Sequence, residues 1–593
     1  MYSKFTRGLI AAGIVSLTAC GGGSNSETAK PGNDVLLSSV TTGTAPAPAA
    51  STRTIQGGTI MAATTAVNPA ISTPTAAQAS HFLAQASFGP MAASINSVMS
   101  TGIDAWLNTQ LTAPQTLHRT LLTQYAATLP AGTSVTANDF HASFWKQSIK
   151  SSDQLRQRVT YALSQIFVIS MADDAIWAHP YGIASYYDTL GQHALGNFRN
   201  LLQAVALHPM MGIYLSHMGN QKESATRMPD ENFAREIMQL MTIGLYQLNP
   251  DGSIKKDAAG NPIETYTHAD VIGMSKVFTG WSWTGPDQSW ARFVGGVIDP
   301  ARDWTPMQNY AAYHSTTEKQ FLGVSIGAGT GGEADLKVAL DTLFNHPNVG
   351  PFIGRQLIQR LVSSNPSPAY VGRVAAAFAN NGNGVRGDMK AVIKAVLLDP
   401  EAMDAANPKK VREPVMRLAN WMRAFKATST SGRFSMGPLV DPIYGLGQSP
   451  LASPSVFNFY RPTYSPPDTS LSAAGLVAPE MQITAEPSVT GYVNFMQATI
   501  GWGTGTNIDI NADYTEEIAM AAQPERLVEH VNMVLLGGSM SSTLRNQILT
   551  AVNSIWQPVP SGTNAAAVAT AKRNRVCLTI FLAMVSPEYL VQR

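Results

Sequence analysis

The spacing of apolar residues is what most constrains this chain. Leu155, Val159, Ala162, Leu163, Ile166 and Phe167 fall at i, i+4, i+7, i+8, i+11 and i+12, the period of one face of an α-helix. Leu336, Ala339, Leu340, Leu343 and Phe344 repeat the pattern, as do Ile353, Leu357 and Leu361, and Val374, Ala377 and Phe378. Long alternating runs are absent, which argues against a large sheet. Ser367-Pro368 reads as an N-cap followed by proline in the first helical turn. The expected fold is mainly α: a large multi-helix body over residues 76–593.

Composition supports a large core. Of 593 residues, 45% are apolar and 13% charged, about half the usual ~25%. Forty Lys+Arg against 39 Asp+Glu leave a net charge of +1. That excludes a nucleic-acid binder working by bulk positive charge and an acidic disordered tail.

The first residues read as targeting. Lys4 and Arg7 precede an apolar, small-residue stretch over 8–19 that ends in Leu17-Thr18-Ala19-Cys20. This is a secretory signal too short to span a bilayer. Its ending resembles a bacterial lipobox, which makes Cys20 the lipidated residue and the membrane a partner through that lipid. Gly21 after Cys20 points to the outer membrane. Residues 21–75 hold four charges, Glu27, Lys30, Asp34 and Arg53, among Gly, Ser, Thr, Ala and Pro, a composition too polar and small to order itself. The expected organisation is signal peptide 1–19, lipidated Cys and tether 20–75, and helical body beyond. The other cysteine, Cys577, has no disulfide partner and reads as a small buried hydrophobe.

Two stretches depart from the helical pattern. Leu248 to Thr267 carries the turn signals Asp251-Gly252 and Gly260-Asn261, which predict a β-hairpin excursion. Asn249, Asp251 and Asp257 lack the spacing of a regular calcium loop. Residues 425–500, rich in Pro, Gly, Ser and aromatics, predict a long ordered loop packed across the helices, either functional or a structural strap. Val392 to Glu401 is echoed by Leu578 to Glu588, both ending in Pro-Glu. Gly323-Val324-Ser325-Ile326-Gly327 lacks the strand–helix context of a nucleophile elbow and reads as a flexible loop. The Gly327–Gly332 glycine pattern lacks a βαβ unit.

The most informative segment runs from Pro229 to Gly244. Asp230 suits an N-cap and Gly244 a stop. Phe233, Ile237, Leu240 and Met241 form the apolar stripe, and Asn232, Glu236 and Gln239 a polar one. Glu236 lies at the apolar edge, so burial should leave its carboxylate wanting a partner or a proton. Glu231 and Arg235 make an i, i+4 pair. Tyr266 to Val271 opens another helix, and Tyr313-His314 and Glu318-Lys319 follow. Glu236, Asp270, His268 and His314 are the residue types of a divalent-metal site or of acid–base chemistry. A buried polar network that fixes helix packing uses the same types.

Several segments together resemble the bacterial domain of unknown function 1800 family. They are His81 to Gly89, residues 229–236, Tyr266-Thr-His-Ala-Asp-Val271, Phe278-Thr-Gly-Trp281, Lys319-Gln-Phe-Leu-Gly323, Phe352-Ile-Gly-Arg-Gln-Leu357 and Gln448-Ser-Pro-Leu451. The resemblance implies an exported, largely helical protein. It also implies a partner of the exported, sulfatase-like domain of unknown function 1501 type. Asp230 and Ser315 replace the family's usual Asn and Asp, and the second change weakens a metal site drawn through His314. Two functions remain open. One is a cell-envelope enzyme for metal-assisted hydrolysis or oxidation of an extracellular substrate, with Glu236 as base or ligand, Asp270 and His314 as ligands or acid, and Lys319 on an anion. Asn232, Arg235, Gln239 and His268 would bind substrate. The other is a non-catalytic envelope binding or assembly protein acting with the sulfatase-like partner.

Overall fold

Helix boundaries in this chain follow capping residues. In the computed structural model, which describes residues 73–407 and 409–593, Thr75 opens the Ala76–Ala86 helix through a capping box with Gln78. Ser367 caps the Pro368–Ala379 helix by accepting from the Tyr370 amide at 3.1 Å, as the sequence predicts. The readings made for residues 1–72, Cys20 among them, lie outside the described residues.

The described residues hold 26 α-helices. The strands among them pair only into antiparallel two-stranded sheets. One apolar cluster runs from Ala79 to Tyr589, with Trp145 and Trp421 among its fully buried side chains. Cys577 packs at its margin, partly buried, where burial pushes its thiol up.

Buried and half-buried cations finish several helices. An α-helix leaves its last carbonyls without intrahelical partners, and its C-terminal end is electronegative. Arg423 donates to Ser148 and Ile149 carbonyls, each at 3.2 Å, at the end of the Ala137–Lys150 helix. Arg360 donates to Gln165 O at 2.9 Å after Gln154–Ser164. Lys410 donates to Gln359 O and Arg360 O, at 2.8 and 3.0 Å, at the end of Val349–Leu361. Arg386 serves Gly332–Asn345 and Arg412 serves Pro524–Leu536 in the same way.

The Pro-Glu echo is structural. After helices Pro368–Ala379 and Met389–Leu397, Glu401 accepts from both the amide and the hydroxyl of Ser367, the N-cap of the first of them. After helices Ser542–Asn553 and Ala565–Met584, Glu588 does the same to Ser541, again the N-cap. Each unit is preceded by a long helix, Val349–Leu361 or Pro524–Leu536. Each is followed by a two-residue strand, Lys410–Val411 or Val591–Gln592, and these two strands pair antiparallel.

Some local expectations need correction. The 248–267 excursion is present, held by antiparallel bridges such as Leu248↔Ile254 and Lys256↔Pro262 rather than regular strands. Asp251 and Asp257 accept from their own turns, so the aspartates close the loops. The ordered loop stops short of residue 500, because Glu486–Trp502 is a helix. Val489, Thr490 and Gly491 are weak helix formers and hide it. The remaining strap is tied down from below: Met171 N donates to Leu451 O at 2.7 Å, His141 Nε2 lies 3.1 Å from Pro450 O, and Gln359 Nε2 donates to Pro462 O at 3.0 Å. The loop expected around Ser325 is instead a hairpin, Lys319–Phe321 with Val324–Ile326. Its turn residues Leu322 and Gly323 both have positive φ, as a type I′ turn requires.

Candidate functional site

Glu236 sits where the helical period places it. The Asn232–Gln239 helix buries Phe233 and Ile237, and Asp230 accepts from the Asn232 amide at 2.8 Å just before it. Glu236 is 8% exposed, neither of its oxygens accepts a hydrogen bond from a described residue, and Oε2 is fully buried. Burial pushes its carboxyl up, with Arg235 pulling in the other direction. Its surroundings are phenolic and amide: Tyr266 Oη donates to Gln239 Oε1 at 3.2 Å, and Tyr214, pushed up to about 12 by burial, feels the charges of Asp173 and Glu236. Glu231 and Arg235 pair at 2.9 Å, and exposed His268 lies 3.7 Å from Glu231. Exposed Asn232 donates to Ser216 Oγ at 3.4 Å.

Asp270 has a different task. Its Oδ2 accepts from the Thr267 amide at 2.7 Å and from the Thr267 hydroxyl, completing the capping box of the His268–Val277 helix. Its Oδ1 accepts from Leu322 N at 2.6 Å, which holds the hairpin turn in its left-handed conformation. Burial alone would raise this carboxyl; the Thr267 and Leu322 donors outweigh it and hold it below the usual range. Helix and hairpin approach closely, since a Cβ at Gly273 would stand 1.7 Å from Gln320 O.

His314 and Lys319 converge on an acid that the sequence reading missed. Asp335 Oδ2 lies 2.9 Å from His314 Nε2 and 2.8 Å from Lys319 Nζ, and all three residues are sealed from solvent. His314 Nδ1 is 2.8 Å from Thr279 O, and Lys319 also donates to Ser315 O and Thr317 O. The ammonium thus spends all three protons inside the protein. Burial acts to raise the Asp335 carboxyl, and the donors around it leave it below the usual range. Ser315 donates to Glu223 at 2.9 Å. Asp335 lies in the first turn of an amphipathic helix, where it reads locally as an N-terminal charge rather than as a partner of residues 16 and 21 positions earlier.

A metal site drawn through Glu236, His268, Asp270 and His314 does not form. Among the described residues, the three His, Cys, Asp or Glu side chains whose ligand atoms lie within 4.8 Å of one another are Glu516, Glu517 and His530. The polar stripe on the Asn232–Gln239 helix and the His314–Asp335–Lys319 cluster share no hydrogen bond or ion pair.

Another buried polar cluster gathers around Glu413. Glu413 Oε2 accepts from Tyr161 Oη at 3.0 Å and Gln448 Nε2 at 2.8 Å, and from Gln165 Nε2. Arg158, Arg360, Lys410, Glu480 and Tyr460 complete it, and Lys410 pairs with Glu480 at 2.8 Å. Burial works to raise the Glu413 carboxyl, but Lys410 and Arg158 keep it low. Arg158 and Lys410 both serve the end of the Val349–Leu361 helix, so this cluster welds that helix, the strap at Gln448 and the Lys410–Val411 strand together. The sequence signal was Gln448-Ser-Pro-Leu451 in the strap; nothing local in the sequence paired it with Glu413.

Fold and polar interior together define a class: a mainly α protein in which a set of buried charges terminates helices and joins them. The chain belongs to the family described as "Protein of unknown function (DUF1800)", which it matches over residues 81–591. No curated protein and no solved structure matches it.

Proposed function

We propose that this chain is an exported, outer-membrane-anchored lipoprotein whose helical body is a non-catalytic binding and assembly component of the cell envelope, acting with an exported sulfatase-like partner. The observation that carries the reading is how the expected catalytic groups are used. Asp270 spends both oxygens on a cap and a turn, and His314 and Lys319 share a sealed carboxylate. Binding asks instead for exposed apolar surface. An open concavity of about 370 Å³, lined by Met436, Leu439, Phe495 and Ile508 among others, has Trp502 beside it at 75% exposure.

Glu236 supports the enzymatic reading as the alternative, because a buried carboxyl held above its usual range is a common property of catalytic acids and bases. One experiment separates the two. The full-length lipoprotein in detergent is mixed with the purified sulfatase-like partner and sedimented. A stable complex, retained by Glu236→Gln, is expected. No complex, together with hydrolysis or oxidation of an envelope polymer that a folded Glu236→Gln protein has lost, would replace the binding reading with the enzymatic one.

A further inference from the structure

We propose that Glu516, Glu517 and His530 form a binding site for one borderline divalent metal ion, zinc being the representative. The two glutamates lie on the Thr515–Met520 helix and the histidine on Pro524–Leu536, and one ligand atom from each lies within 4.8 Å of the others. Glu517 Oε1 and His530 Nε2 are already 2.8 Å apart. Around a tetrahedral ion with bonds near 2.1 Å, ligand atoms stand roughly 3.4 Å apart, so closure needs movement mainly of the exposed Glu516 side chain.

A second observation points to a cation. Glu517 is 2% exposed, and its Oε2 is fully buried with no hydrogen-bond partner. A buried carboxylate oxygen without a donor is unfavourable, and a metal ion bound by that carboxylate supplies the missing positive charge. Lys426 pairs with Glu516 across the surface, both side chains being more than two-fifths exposed. Such a pair is weak and yields its carboxylate readily. Nearby Asp513 accepts from the Thr515 amide and hydroxyl at 3.0 and 2.6 Å, and Glu529 from Asn532, and neither joins the ligand atoms that lie within 4.8 Å of one another. Two carboxylates and one imidazole suit zinc and its first-row neighbours better than magnesium or calcium, which take oxygen ligands. With three protein ligands, the ion keeps a position for water on the side of exposed Glu516. The ion would also lock the Thr515–Met520 helix onto Pro524–Leu536, the long helix that precedes the second Pro-Glu unit.

The test uses the full-length, tag-free chain, dialysed against chelator and titrated with zinc chloride by calorimetry, with melting temperature read in parallel. One zinc per chain and a higher melting temperature are expected. Affinity should fall at least tenfold in Glu516→Ala and in His530→Gln, with the rise in melting temperature lost. Should His530→Gln fail to fold, Glu516→Ala carries the test, because that side chain is exposed. No zinc uptake by folded protein overturns the site. Uptake unchanged in the variants places the ion elsewhere and also overturns it. Equal affinity for magnesium overturns the assigned metal class.

Discussion

Glu236 and Asp270 differ in one respect: where their acceptor capacity goes. Asp270 meets three donors and is held ionised; Glu236 meets none and is pushed toward its protonated form. The sign of the second effect is checkable. A folded-state value above the unfolded one means the ionised carboxylate opposes folding, so stability is lost as pH rises through the folded value. Glu236→Gln should therefore stabilise the protein by about 1 kcal/mol at pH 8, with the gain vanishing near pH 4. Urea unfolding at the two pH values measures it, and a loss at pH 8 would show that Glu236 has a partner of its own. The burial of Glu236 was legible from helical periodicity alone. The task of Asp270 was only half legible. Its capping of Thr267 is local and could be read; its bond to Leu322 spans 52 positions and could not.

At the scale of elements, helix starts were easier to read than helix ends. Ser367 and Thr267 cap helices within three residues of themselves, whereas Arg423 ends a helix more than 270 positions earlier. Weak helix formers hid the Glu486–Trp502 helix, and a Leu-Gly turn hid a hairpin, since Leu322 takes a left-handed conformation that leucine rarely adopts, with its amide held by the distant Asp270. The Pro-Glu echo was visible, but its purpose needed the two serines it seats upon. Glu588→Ala should cost about 2 kcal/mol and Ser541→Ala about 1 kcal/mol. Because they share one pair of bonds, the double variant should cost about 1 kcal/mol less than the two losses combined. A double-mutant cycle in urea reads the coupling; strict additivity would mean that the carboxylate does not hold the cap.

Across the whole molecule, the buried imidazoles set the acid limit. Burial lowers His118, His141 and His217 to about 4 and His208 to about 3. Each stays neutral in the fold while the unfolded chain takes up a proton below about 6.5, so stability falls as pH drops from 6.5 toward 4. Asp188, which burial pushes up to about 7, acts in the opposite direction and removes one proton from the balance. These five groups alone contribute a slope of about 3–4 kcal/mol per pH unit near pH 5.5, a large fraction of the stability of a typical domain. Melting temperature between pH 7.5 and 4.5 measures it; a flat profile across that range would mean that these imidazoles titrate freely in the fold.

Residues 590–592 pair with the middle of the chain, and that pairing bears on how the body closes. Lys409 N donates to Gln592 O, Arg412 N to Leu590 O, and Gln592 Nε2 to Leu361 O. The Lys410–Val411 strand therefore has no partner until residues 591–592 reach it. Closing the middle of the body thus depends on contacts up to 231 positions apart along the chain, the kind of non-local pairing that slows folding because its loop entropy must be met before any contact rewards it.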